Sequence, residues 1–179
     1  YLQEINDLVK SRLNALEEIK KLGVNPYPHR FDVTADSEEI LSGFKDPADE
    51  TEAEAAKQKN VAVAGRIMAI RKMGKASFCS IKDGTGKLQI YIRQNDVGEN
   101  QYKLFKLLDI GDIIGVKGFI FRTKMGEISL HAGSIELLTK SIQPLPVVKE
   151  ETTESGERII HDAFADVELR YRQRYIDLI

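Results

Sequence analysis

Residues Val61 to Arg93 read VAVAGRIMAIRKMGKASFCSIKDGTGKLQIYIR, and this stretch decides the fold. In its first run Val61, Val63, Gly65, Ile67 and Ala69 alternate with Ala62, Ala64, Arg66, Met68 and Ile70, the period of two that marks a strand. Gly74 and Lys75 make a short turn. The second run, Ala76 to Lys82, sets Ser77, Cys79 and Ile81 on one side and Ala76, Phe78, Ser80 and Lys82 on the other. A ring among polar groups is hard to explain as core alone. Asp83-Gly84-Thr85-Gly86 offers hairpin chemistry, with glycines able to take the positive φ that tight reversals favour. The third run, Lys87 to Arg93, follows at once. Three antiparallel strands are expected, their exposed face mixing cations with flat rings.

Around this core the chain divides by charge. Residues 1–60 hold 8 Lys/Arg and 13 Asp/Glu, residues 61–140 hold 13 and 7, and residues 141–179 hold 5 and 8. The overall charge of −2 therefore hides a middle segment at +6 between flanks at −5 and −3. A cationic β-rich segment is the electrostatic footprint of a module that holds phosphates, although uneven solvated charge gives the same count. With 42% hydrophobic residues in 179, the composition suffices for an ordinary core. No run approaches the roughly 18 apolar residues of a membrane span, and no signal peptide opens the sequence, so a soluble, cytoplasmic chain is expected. The single cysteine, Cys79, cannot form an internal disulfide or a cysteine metal cage and is read as packing. The three histidines, His29, His131 and His161, are isolated in sequence, so no metal site is expected.

Outside the strands, Leu2, Ile5, Leu8, Val9, Leu13, Leu16, Ile19 and Leu22 recur at helical spacing. Lys20 and Lys21 fall in the last turn and Gly23 just beyond it, which predicts one amphipathic helix over 1–22. Asn25-Pro26-Tyr27-Pro28 is extended or turned, and 35–60 holds two acidic pieces, the second (Pro47 to Lys59) with helix-forming composition. Tyr102, Phe105 and Leu108 mark a short helix within Glu99 to Leu108, followed by strand four at Ile113 to Phe121 and strand five at Glu127 to Leu138. Three strands, a short helix, then two strands is the order of the oligonucleotide/oligosaccharide-binding (OB) fold. The fold expected is thus all-β with flanking helices: a five-stranded Greek-key barrel behind an N-terminal amphipathic helix. Three parts are expected: 1–60 as helix and acidic arm, 61–140 as the barrel, 141–179 as linker and lead-in to a further domain.

Several runs carry a family resemblance. GRIMAIRKMGKASFCSIKDGTGKLQIYI, GDIIGVKG, FRTKMGEISLHAGSIELLTKSIQPLP and ELRYRQRYIDLI, with the opening helix and LGVNPYPHRF, together resemble the N-terminal part of class II lysyl-tRNA synthetase of the bacterial type. The resemblance implies an anticodon-binding barrel for tRNA(Lys). It also implies a homodimer whose separate catalytic domain would use ATP and Mg²⁺ to join lysine to tRNA(Lys) through lysyl-adenylate. The run from Arg170 to Ile179 resembles the approach to the first class II motif, so no catalytic residue and no cofactor is expected within this chain. P-loop, HExxH and nucleophile-elbow patterns are missing from the sequence.

Residue by residue, the resemblance places Phe78 as the ring that stacks an anticodon base and Gln89 as the reader of a base edge, its amide offering both donor and acceptor. Arg66 and Arg71 are set for a phosphate or base, and Tyr91 for a second stack or a support. Glu127 and Ser129 fall in the region contacting a further uridine, with His131 after them. Lys75 and Lys124 supply phosphate attraction indifferent to sequence. Each has a plainer reading, as core ring, strand-edge polar group or solvated charge. Lys149 to Val167 departs from the family's short linker, and its polar first half is expected to be mobile. An aspartyl- or asparaginyl-tRNA synthetase barrel, a free-standing single-strand binder and a dimerisation module remain as alternatives. The terminal motifs favour the lysyl type.

Overall fold

The computed structural model describes residues 2–144, 149–152, 158–161 and 171. The chain falls into two compact units, Tyr1–Ile142 and Gln143–Ile179.

In the first unit, helix α1 (Leu2–Lys21) buries Leu16 and Ile19, one stripe of the helical repeat. It ends at Gly23, whose φ of 75° is open to glycine and whose N–H donates to Lys20 O at 2.9 Å. Arg12 fastens the helix. Its guanidinium donates to the carbonyls of Ser141 (3.0 Å) and Ile110 (2.9 Å). Two further helices follow where the acidic pieces lie. In α2 (Ser37–Gly43), Asp36 accepts from Glu39 N–H while Glu39 accepts from Asp36 N–H, a reciprocal capping box. Helix α3 (Glu50–Gln58) is capped by Asp49.

Strands β1 (Val61–Met73), β2 (Ala76–Lys82), β3 (Lys87–Arg93), β4 (Ile113–Arg122) and β5 (Ile128–Thr139) close a barrel in the order β1-β2-β3-β5-β4. All pairs are antiparallel except β3 with β5. Two short helices, α4 (Gln94–Val97) and α5 (Glu99–Lys106), connect β3 to β4, and Tyr102, Phe105 and Leu108 point into the core beside Ile67, Ile81, Ile90, Ile114, Leu130 and Leu137. The barrel expected from the strand–helix order is therefore present. Cys79 is buried in it, and burial alone pushes its thiol up to about 12.

Three local expectations need correction. Alternation along β1 does not run unbroken, because the register with β2 shifts between Ile67 and Ala69. Beyond that bulge the faces exchange, so Ile70 packs against the core and Ala69 is exposed. The Asp83–Gly86 turn does not use positive-φ glycines. Positive φ occurs instead at Gly74 (62°) and Gly126 (88°), in the β1–β2 and β4–β5 turns. The β2–β3 turn is built by the Asp83 carboxylate, which accepts from the N–H groups of Thr85 and Gly86, both at 2.8 Å. Finally, the polar run from Lys149 is not simply loose chain. In the second unit β6 (Lys149–Thr152) pairs antiparallel with β7 (Arg158–His161). Apart from Tyr171, the expected catalytic lead-in at Arg170 to Ile179 lies outside the described residues.

Candidate nucleic-acid interface

The outer surface of β2, β3, β5 and β4 carries one continuous row of residues, each directly opposite the next across a strand pairing. Arg71 faces Phe78, Phe78 faces Tyr91, Tyr91 faces His131, and His131 faces Phe119. This follows from the pleat: their neighbours Cys79, Ile90 and Leu130 point inward and are buried. The rings touch along the row. Phe78 and Tyr91 have centroids 5.0 Å apart, Tyr91 meets His131 edge-on at 5.1 Å, and His131 stacks on Phe119 at 4.7 Å. Phe121 joins from the next row, 5.9 Å from Tyr91. Half-exposed rings in van der Waals contact form a platform with open faces at its Phe78 end.

The second row runs Ser80, Gln89, Ser129, Phe121. Gln89 Nε2 donates to Ser129 Oγ at 2.9 Å, which fixes the amide plane and leaves its oxygen uncommitted among the described residues. Ser129 itself is 0% exposed. Its hydroxyl is therefore turned to Gln89 rather than to solvent. Glu127 stands two residues earlier at the exposed head of the strand, its N–H donating to Thr123 Oγ1 at 3.1 Å.

Arg66 does not join the platform. It sits where β1 pairs with Lys82 and Ile113, and its guanidinium donates to Gly111 O at 2.9 Å, tying the strand to the turn before β4. Arg71, beyond the bulge, is exposed beside Phe78. Lys75 is exposed in the β1–β2 turn, which is held in place by Tyr102 Oη donating to Gly74 O at 2.6 Å and Gln94 N–H donating to Lys75 O at 2.9 Å. Lys124 is exposed in the β4–β5 turn.

Four residues of this surface were not anticipated: Phe119, Phe121, Asp96 and Arg93. The His131 ring nitrogen Nε2 lies 2.7 Å from Asp96 Oδ2, and Asp96 receives two further bonds from Arg93, at 2.7 and 2.8 Å. Hydrogen bonding from Arg93 first, with a further bond from His131, lowers the Asp96 carboxyl below its ordinary range despite partial burial. Helix α4 thereby locks the middle of the ring row. The regular alternation of Phe119 and Phe121 on β4 was a usable signal. The Asp96 contact was not, since it depends on where α4 folds back.

Among the described residues no three His, Cys, Asp or Glu side chains converge as a metal site, and no helix is long and apolar enough to cross a membrane. Set against known proteins, residues 61–138 match the family model of the OB-fold nucleic acid binding domain. The chain is 49% identical over 177 residues to a lysine–tRNA ligase of Carboxydothermus hydrogenoformans, covering 99% of this chain and 32% of that protein. It is 45% identical over 177 residues to a lysine–tRNA ligase of Pelotomaculum thermopropionicum, covering 99% and 31%. The chain thus spans about a third of the length of the curated relatives it matches. Residues 61–138 are thus similar to OB-fold nucleic acid binding domains, in a chain similar along nearly its whole length to lysine–tRNA ligases.

Proposed function

We propose that the barrel binds the anticodon loop of tRNA(Lys) and reads its uridines. The observation that carries this reading is the ring row with Gln89 beside it, on the strand face that OB folds use for single strands. Phe78 takes one base on its open face with Tyr91 as its support. Gln89, held by Ser129, offers its remaining amide valences to a uracil edge, where O4 accepts and N3–H donates. Glu127, at the exposed rim, accepts from the N3–H of a further uridine and repels phosphate elsewhere, so it discriminates rather than attracts. Arg71, Lys75 and Lys124 draw in the backbone.

In the whole protein this contact would select the tRNA to which lysine is joined. There ATP with Mg²⁺ activates the amino acid as lysyl-adenylate, and none of the residues described in this chain is assigned to hold them. The working form is proposed as a cytoplasmic homodimer, a reading supported by the resemblance and by Leu8 and Leu13, which α1 leaves exposed.

The test is binding of this chain to an anticodon hairpin bearing UUU beside the same hairpin bearing GUC. A UUU preference that disappears in Gln89→Ala supports the lysine reader. Equal affinity for both hairpins, falling steeply with salt, would reduce the barrel to a general single-strand binder.

A further inference from the structure

The barrel has a second face that nucleic-acid binding does not use. At the mouth formed by the start of β1 and the end of β4, helices α2 and α3 do not close completely over the barrel. They leave a cavity of about 430 Å³. Its apolar walls include Ile40 of α2, Val61 of β1, Ile120 of β4 and Phe44. Barrel mouths are recurrent ligand sites, and pockets for small molecules span about 300–1,000 Å³. At about 30 Å³ per water-sized atom, the space takes roughly fourteen non-hydrogen atoms.

Three charged residues line it: Lys45, Lys59 and Glu39. Glu39 is already committed, since its Oε2 accepts from Asp36 N–H in the capping box of α2. The two lysines are different. Both are exposed, and among the described residues neither ammonium has a carboxylate or carbonyl partner. Nearby cations are taken up: Lys57 pairs with Glu54, and Arg122 with Asp46 while lying over the Phe44 ring at 5.3 Å. An acidic arm of 13 Asp/Glu within residues 1–60 thus leaves two unpaired ammonium groups beside an apolar cavity.

We propose that this barrel mouth binds a small amphipathic carboxylate, its hydrocarbon body lying against Ile40, Val61, Phe44 and Ile120 and its carboxylate held between Lys45 and Lys59. Apolar burial supplies most of the affinity. The lysines set the sign of charge accepted, as partly exposed cations contribute modestly and selectively.

Decanoate, with twelve non-hydrogen atoms, is a fitting probe. Titrated into the full chain and followed by amide ¹H–¹⁵N shifts, it should give saturable changes at Ile40, Phe44, Val61 and Ile120. Decylamine should bind there at least fivefold more weakly. Lys45→Gln with Lys59→Gln should weaken decanoate roughly fivefold while leaving the remaining spectrum intact, which shows that the variant is folded. Phe78→Ala should leave decanoate binding unchanged, so the result stands apart from any outcome with RNA. Shifts that scatter over the surface without saturating, equal binding of decylamine, or a double variant that binds decanoate as before would each overturn the proposal.

Discussion

Phe78 and Ser129 show how strand register gives opposite exposure to residues of the same strand set. Phe78 is half-exposed at the end of the ring row, so its truncation removes a stacking surface without opening the core. Base stacking is worth about 1–3 kcal/mol. Phe78→Ala should therefore weaken the UUU hairpin by about tenfold or more in a fluorescence-anisotropy titration, with its urea midpoint nearly unmoved; unaltered affinity would remove Phe78 from the interface. Ser129 is fully buried and bonded to Gln89. Ser129→Ala frees the Gln89 amide, so the ratio of UUU to GUC affinity should fall several-fold while stacking persists. A ratio that stays put would show that Gln89 needs no such hold. The outward-facing residues Phe78, Gln89 and Tyr91 were legible in the sequence because a period of two sorts faces without reference to a partner. Ser129 and Arg66 were not legible in their actual positions. Whether a strand residue is held or turned aside depends on groups supplied by other segments, here Gln89 for the one and the Gly111 carbonyl for the other.

Elements obey the same distinction between local and paired information. Helix α1, the β1–β2 turn and the order of five strands are all set by spacing or turn chemistry within a few residues, and each was readable. The parallel pairing of β3 with β5 arises between segments distant in sequence, and the bulge in β1 depends on its register with the partner strand rather than on its own pattern. Two predictions belong at this level. The β2–β3 turn holds α2 by its N-terminus: Asp83 Oδ2 accepts from Ser37 N–H at 2.8 Å, and Thr85 Oγ1 accepts from Glu38 N–H at 3.3 Å. Partial burial opposes the charge on Asp83, but bonds from the amides of Gly86, Thr85 and Ser37 outweigh it and hold the carboxyl well below the usual carboxylate range. A carboxyl depressed in the folded state adds stability above its unfolded pKa of about 4 and loses it as pH falls toward the folded value. Asp83→Asn should therefore lower the melting temperature at pH 7 and flatten its decline below about pH 4; parallel curves for the two proteins would contradict this. In β4, a Cβ placed on Gly118 would sit 1.9 Å from the His131 carbonyl oxygen, a backbone atom that cannot swing away. Gly118→Ala should cost about 3 kcal/mol by urea denaturation, at the upper end for overpacking. Since His131 lies in the ring row, that variant should also weaken RNA binding wherever it remains folded.

For the molecule as a whole, charge is arranged so that attraction and reading are separable. The barrel segment at +6 lies between acidic flanks, yet many of its cations are occupied. Lys140 is buried between Asp109 (2.6 Å) and Asp112 (2.8 Å), Arg93 pairs with Asp96, Arg122 with Asp46 and Lys103 with Glu99. The exposed cations beside the ring row include Arg71 next to Phe78, Lys75 and Lys124 in the β1–β2 and β4–β5 turns, and Lys87 on β3 two residues before Gln89. Each phosphate neutralised on a single strand contributes about −0.7 to the slope of log affinity against log salt. A segment charge of +6 read naively suggests a slope of about −4, whereas four exposed cations beside the ring row give about −3. The hairpin titration repeated between low and moderate salt should return that shallow value for the native chain. Lys75→Ala and Lys124→Ala should each reduce it by about 0.7 and weaken UUU and GUC hairpins equally. Gln89→Ala should do the reverse, changing the ratio between hairpins with no change of slope, because an uncharged amide displaces no counterion. A native slope of about −4 or steeper would mean that Arg93 and Arg122 release their carboxylates on binding and that the ion pairs drawn in the free protein are not those of the complex. If instead a lysine substitution altered the ratio and left the slope alone, that lysine would be touching a base, and the division between positioning and reading on this face would have to be redrawn.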